Sequence, residues 1–157
     1  MEIKDCIKVY DNVIPWAPLG NLVRYAAHCS NFESTTVGND PVQNNEIRKA
    51  DGLNLSNTSP SMTNVHWFCF LHNFFNQGVN RYHRDLNLAE NAHQHIIDIN
   101  ILKYKKEGHY VYHTDDALAF PRTISCILLL NNDYKGVVLC FRDPDQSSEM
   151  VIEVKPN

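Results

Sequence analysis

The sequence contains no C-x-x-C pair, and its five cysteines (Cys6, Cys29, Cys69, Cys126 and Cys140) are an odd number spread along the chain. A disulfide framework and a zinc site are therefore not expected, and most of these cysteines, set among apolar neighbours, read as small core residues. A long hydrophobic run is also missing. The longest, around residues 124–130, falls far short of the roughly 20 residues that cross a bilayer. The opening Met1-Glu2-Ile3-Lys4-Asp5 lacks the apolar stretch of a secretory signal. The expected location is cytoplasmic, with no membrane partner. Positive charge is scarce as well: 14 Lys and Arg against 18 Asp and Glu leave a net charge of −4. The only tight basic group, Lys103, Lys105 and Lys106, alternates along a strand-like stretch and makes no nucleic-acid footprint. Internal repeats and low-complexity tracts are absent. Asn54-Leu55-Ser56 and Asn57-Thr58-Ser59 fit the glycosylation pattern, but without a secretory signal they read as a polar loop.

What is present is ordinary for a globular domain. A length of 157 residues with 43% hydrophobic and 20% charged residues, seven Tyr, seven Phe and two Trp can bury one core. One domain is expected. Residues 3–14 alternate well enough for a strand, with Val13 and Ile14 following a turn at Asp11-Asn12, and Pro15 and Pro18 break it. Apolar spacing through Leu22, Val23, Tyr25, Ala26 and Cys29 predicts a short helix over 19–29. Residues 31–61 turn polar and read as a long surface segment with one strand near 46–48. Helical periodicity returns over 62–82, with Ser61 or Thr63 as N-cap, in a helix expected to lie on a sheet. From about 96 the pattern is β: strands at 97–101, 110–113, 123–130, 137–141 and 150–154. Turns at Lys106-Glu107-Gly108, Asn131-Asn132-Asp133 and Asp143-Pro144-Asp145 separate them. A supporting region over 1–95 followed by core strands over 96–157 is the order of an α+β domain whose β part is a sandwich or jelly roll.

The chemistry-bearing candidates are His-x-Asp triplets. A non-haem iron site takes two His and one carboxylate on one face of the metal, and the period of two in a strand points the first and third residues of such a triplet the same way. His113-Thr114-Asp115 fits. His83-Arg84-Asp85, beside Asn80, Arg81 and Asn87, reads instead as a solvated loop, and His93-Gln94-His95 with Asp98 is a third cluster. Context favours the first. It closes Tyr104-Lys105-Lys106-Glu107-Gly108-His109-Tyr110-Val111-Tyr112-His113-Thr114-Asp115, and Arg122-Thr123-Ile124-Ser125 and Leu130-Asn131-Asn132-Asp133-Tyr134-Lys135-Gly136 follow.

That arrangement resembles the prolyl 4-hydroxylase-like branch of the Fe(II)/2-oxoglutarate-dependent dioxygenases. Their pattern is Tyr, a Gly turn, Tyr, His-x-Asp, then Arg and a strand ending in Leu-Asn-x-Asp-x-x-Gly. The resemblance implies a double-stranded β-helix (jelly roll) fold, with His113 and Asp115 as catalytic iron ligands. Tyr104 would bind the distal carboxylate of 2-oxoglutarate. Tyr110 and Arg122 would line the mouth or buttress the ligand strand, and Asp116 would help to shape substrate choice. The implied cofactors are Fe(II) and 2-oxoglutarate as co-substrate, with ascorbate as an accessory reductant. The implied reaction hydroxylates a C–H bond of peptidyl proline or a small molecule while 2-oxoglutarate is decarboxylated to succinate. Upstream, residues 7–14 resemble the family's opening strand and Glu46-Ile47-Arg48 its short polar strand.

The sequence also departs from the family. Gly136-Val137-Val138 stands where Gly-Gly and an acid are usual, and Leu129 where an aromatic is. After Lys155-Pro156 the family carries a second ligand His and a carboxylate-binding Arg; here no His follows His113, and the later Arg122 and Arg142 lie on other strands. The sequence is therefore expected to be a fragment of a longer domain, favoured over a short form closed by a partner subunit, that binds iron weakly and turns over slowly or not at all. Open strand edges would invite an oligomer. The competing class is a non-catalytic jelly-roll binding or assembly module. A cupin-like metal enzyme using His93 or His95 ranks last.

Overall fold

The computed structural model describes residues 3–36, 44–88, 95–115, 122–131, 133, 138–143, 145 and 148–152. Its elements are α1 (Ile3–Cys6), α2 (Trp16–His28), β1 (Glu33–Ser34), β2 (Arg48–Lys49), β3 (Asp51–Leu55), α3 (Met62–Asp85), β4 (Ile99–Lys103), β5 (His109–Tyr110), β6 (Leu139–Arg142) and β7 (Glu149–Ile152). The fold is α+β, with small antiparallel sheets ordered β1-β3-β4, β2-β5 and β6-β7. The chain forms two compact units. The first is Met1–Val23, Gln77–Ala92 and Tyr112–Asn157; the second is Arg24–Asn76 and His93–Val111.

In the second unit the register explains the core. Leu53 faces Ile101 and Leu55 faces Ile99 across β3 and β4, and all four side chains are buried. Between them Asn54 faces Asn100 on the other side, where the two amides hydrogen-bond at 3.1 Å. The alternation thus sorts apolar from polar by the period of two. Asn54 and the fully buried Leu55 therefore belong to a strand, and the expected polar loop begins only at Ser56. Trp67 and Leu71, one helical turn apart, add the buried stripe of α3, and Trp67 meets the ring of Tyr25 at 6.0 Å.

The expected helix over 62–82 is present and runs three residues further. Ser61 caps it, its Oγ accepting from the Asn64 amide at 3.4 Å. The other end is a Schellman closure: Leu88 N–H donates to His83 O, Asn87 N–H to Arg84 O, and Asn87 takes φ 52°. His83-Arg84-Asp85 is consequently the last turn of a helix with His83 buried, and the expectation of a solvated loop was incorrect.

Other expectations are corrected too. Residues 3–14 hold one helical turn and irregular chain rather than a strand. The chain does bend at Asp11-Asn12 as expected, with Asn12 at φ 56°, and tyrosines fasten the segment: Tyr82 donates to Cys6 O at 2.8 Å and Tyr10 to Asp85 at 2.7 Å. α2 begins three residues before the helix expected over 19–29 and takes Pro18 into its first turn, which needs no donor from it, while Pro15 O accepts from Leu19. The polar stretch contributes β1, β2 and β3 before α3, so strands do not wait for the second half. The strand expected over 110–113 ends at Tyr110, and none forms over 123–130, where no described neighbour supplies a ladder. No cysteine is a core residue: all five are free, with Cys69 and Cys126 exposed. No helix among the described residues is long and apolar enough to cross a membrane.

Candidate functional site

In the first unit the chain bends at Tyr112, and what holds this bend is a cluster that the sequence did not suggest. Arg142 and Glu149 face each other across β6 and β7 and pair at 2.9 Å. Tyr112 donates its hydroxyl to the same Glu149 oxygen at 2.8 Å, and the Arg142 guanidinium lies 4.0 Å from the centroid of its ring. Arg142, and then Tyr112, hold the Glu149 carboxyl below its ordinary range, whereas accepting from Tyr112 lets Glu149 push that phenol up. The residue before His113 is thus tied down by a ring, a charge and a hydrogen bond.

His113 Nε2 and Asp115 Oδ1 stand 3.3 Å apart. Two protein donors at about 2.1 Å from a shared ion and at right angles to it would be roughly 3.0 Å apart. The separation therefore suits neighbouring positions on one metal as well as it suits a His–Asp contact. Side-chain exposures of 34% and 43% leave the pair open to a ligand from solvent. The other Asp115 oxygen accepts a short hydrogen bond from Ser125 Oγ, which fixes the carboxylate's rotation. Such an outer partner orients a metal-binding carboxylate and holds the free oxygen away.

No protein-family model, curated protein or solved structure matches this chain.

The remaining candidates distribute as follows. Tyr104 and Tyr110 belong to the second unit, His113, Asp115 and Arg122 to the first. Tyr104 follows β4, and burial pushes its phenol up while the neighbouring Arg48 guanidinium acts in the opposite sense. Arg48 and Tyr110 are register partners on β2 and β5, with the guanidinium 4.6 Å from the ring centroid. Arg48 Nε is buried without a hydrogen-bond partner. This cluster joins two expected residues with one, Arg48, that had been read only as part of a short polar strand. Arg122 is exposed. Asp116 and His93 lie outside the described residues, while His95 and Asp98 are exposed. Among the described residues no three His, Cys, Asp or Glu converge as a metal-binding group.

Ser125, Arg142 and Glu149 carried no signal in sequence. Their roles arise from register and from a side chain reaching ten residues back, neither of which has a fixed spacing.

Proposed function

We propose that this chain is a jelly-roll oxygenase of the Fe(II)/2-oxoglutarate type that hydroxylates a C–H bond of peptidyl proline or a small molecule. The observation that carries the reading is the 3.3 Å approach of His113 Nε2 to Asp115 Oδ1, with Ser125 holding the second carboxylate oxygen. His113 and Asp115 would hold the iron, and they fit it as a nitrogen and an oxygen donor on one side. When bound, iron with 2-oxoglutarate and oxygen supplies oxidative decarboxylation coupled to C–H hydroxylation. The chain's own part is positioning. Ser125 fixes the carboxylate, and the Tyr112–Glu149–Arg142 cluster limits the travel of the segment carrying His113. Within the second unit, Tyr104 with Arg48 beside it offers a hydroxyl and a cation that suit a carboxylate. Arg122 and Asp116 remain the candidates for substrate contact.

A second reading, a non-catalytic binding or assembly module, is favoured by the absence of a third convergent ligand among the described residues. Thermal unfolding under anaerobic conditions separates the two. A ligand at about one hundred times its dissociation constant adds roughly 2.7 kcal/mol. The oxygenase reading expects a shift that needs both Fe(II) and 2-oxoglutarate and is lost in His113→Ala. A folded protein that shows no shift at millimolar ligand is the module.

A further inference from the structure

The second unit contains a cleft that the oxygenase reading does not use. It is open, has a volume of about 250 Å3, and is lined by Lys49, Lys103, Lys105 and Lys106, with Asp51 as the acidic residue of its wall. The lysines are brought together by the turn after β4. Glu107 takes φ 63°, and the Gly108 amide donates to Lys105 O at 2.8 Å. A Cβ on Gly108 would stand 2.8 Å from Lys105 O and 3.0 Å from Lys49 O, so only glycine lets those two lysine-bearing backbones close on each other.

The positive charge there is incompletely met. Lys105 pairs with Asp51 at 2.7 Å, which accounts for the one carboxylate of the wall among the described residues. Lys49 reaches Glu107 at 3.4 Å, but both side chains are exposed, and an ion pair of that kind contributes little and exchanges readily. Lys103 donates to Ala26 O at 3.0 Å and lies over the Phe32 ring, which fixes its ammonium without neutralising it. Lys106 has no ionic partner among the described residues.

Four ammonium groups around one cleft concentrate positive potential and draw in anions. The donor set then selects among them. Among the described residues no arginine lines the cleft, so none supplies the planar fork that suits a carboxylate. The Thr35 hydroxyl is committed to Ala50 O, and that of Ser34 to Asp51. What remains is a set of point-charge ammoniums with the Asn45 amide, which suits a compact group with charge spread over several oxygens.

We propose that this cleft binds the phosphoryl group of a small anion, with Lys49 and Lys106 as its principal ligands. The site is independent of the metal-ligand pair and stands or falls separately from the oxygenase reading.

Calorimetric titration of the full chain with inorganic pyrophosphate at low salt tests it. The expected result is saturable one-to-one binding, weakened about tenfold or more in Lys49→Gln/Lys106→Gln. Lys106→Gln alone, a change at an exposed turn residue, should weaken it severalfold with the melting temperature preserved. His113→Ala and the charge-matched control Lys4→Gln/Lys8→Gln should leave it within twofold. Absence of saturable binding overturns the proposal. So does a control variant that loses as much affinity as the cleft variant, because net charge alone would then be responsible. Glutarate binding as tightly as pyrophosphate would overturn the phosphoryl assignment.

Discussion

Asp115 is restrained on both of its oxygens, by His113 on one and Ser125 on the other. Removing the hydroxyl frees the carboxylate to rotate about its last torsion, so that it must be ordered again whenever an ion binds. Ser125→Ala is therefore expected to weaken Mn(II) binding, read by electron paramagnetic resonance as a surrogate for Fe(II), by about ten- to hundredfold. The melting temperature without metal should change little, since Ser125 is exposed. His113→Ala removes a donor outright and should abolish the binding. A Ser125→Ala protein that binds Mn(II) like the parent would show that the hydroxyl has no orienting role. At this scale the sequence was informative where spacing carries the meaning. The approach of His113 to Asp115 was readable because residues two apart in an extended stretch point the same way. Ser125 was not, because nothing ties a hydroxyl ten residues away to a particular offset.

The elements follow the same division. α3 was readable almost to its last residue because a 24-residue helix repeats its apolar period many times and carries a Ser cap. β4 was readable from the alternation of Ile99 and Ile101. Of the two-residue strands, β2 and β5 only touch the edges of the strands expected near 46–48 and at 110–113, and β1 left no periodic trace, as a pattern of period two needs more than one repeat to be seen. The opening segment misled for the opposite reason: its alternation is real, but side-chain hydrogen bonds from Tyr10 and Tyr82 win over a ladder for which no partner strand is present among the described residues. The turn at 106–108 was foreseen from its composition, and the structure supplies its reason. Gly108→Ala would drive a methyl group into two backbone carbonyls, neither of which can rotate away as a side chain could. The expected cost is about 1–3 kcal/mol by overpacking, measured by urea unfolding. The β2–β5 pairing should loosen with it, seen as faster amide exchange at Val111, whose N–H donates to Ile47 O. A variant as stable as the parent would mean that the turn relaxes without strain.

Among the described residues each compact unit carries one carboxylate held below its ordinary range by a cation: Asp51 by Lys105 in the second unit, and Glu149 by Arg142 and then Tyr112 in the first. A depressed folded value means that the unfolded chain binds protons more readily than the folded one. The stability from these pairs is therefore complete above the ordinary carboxylate values of about 4 and is lost as the pH falls through the lower folded values. Both pairs are partly exposed, with Asp51 and Glu149 side chains at 22% and 42%, so added salt should weaken them. The melting temperature of the parent is accordingly expected to fall more steeply below about pH 4 than that of Asp51→Asn/Glu149→Gln. At neutral pH and low salt the variant should melt lower, and the gap should narrow both on acidification and in high salt. If only one of the two single variants reproduces this behaviour, the acid response belongs to the unit that carries it. A double variant that follows the parent throughout would place the acid sensitivity in other carboxylates and leave these two pairs without a net effect on stability.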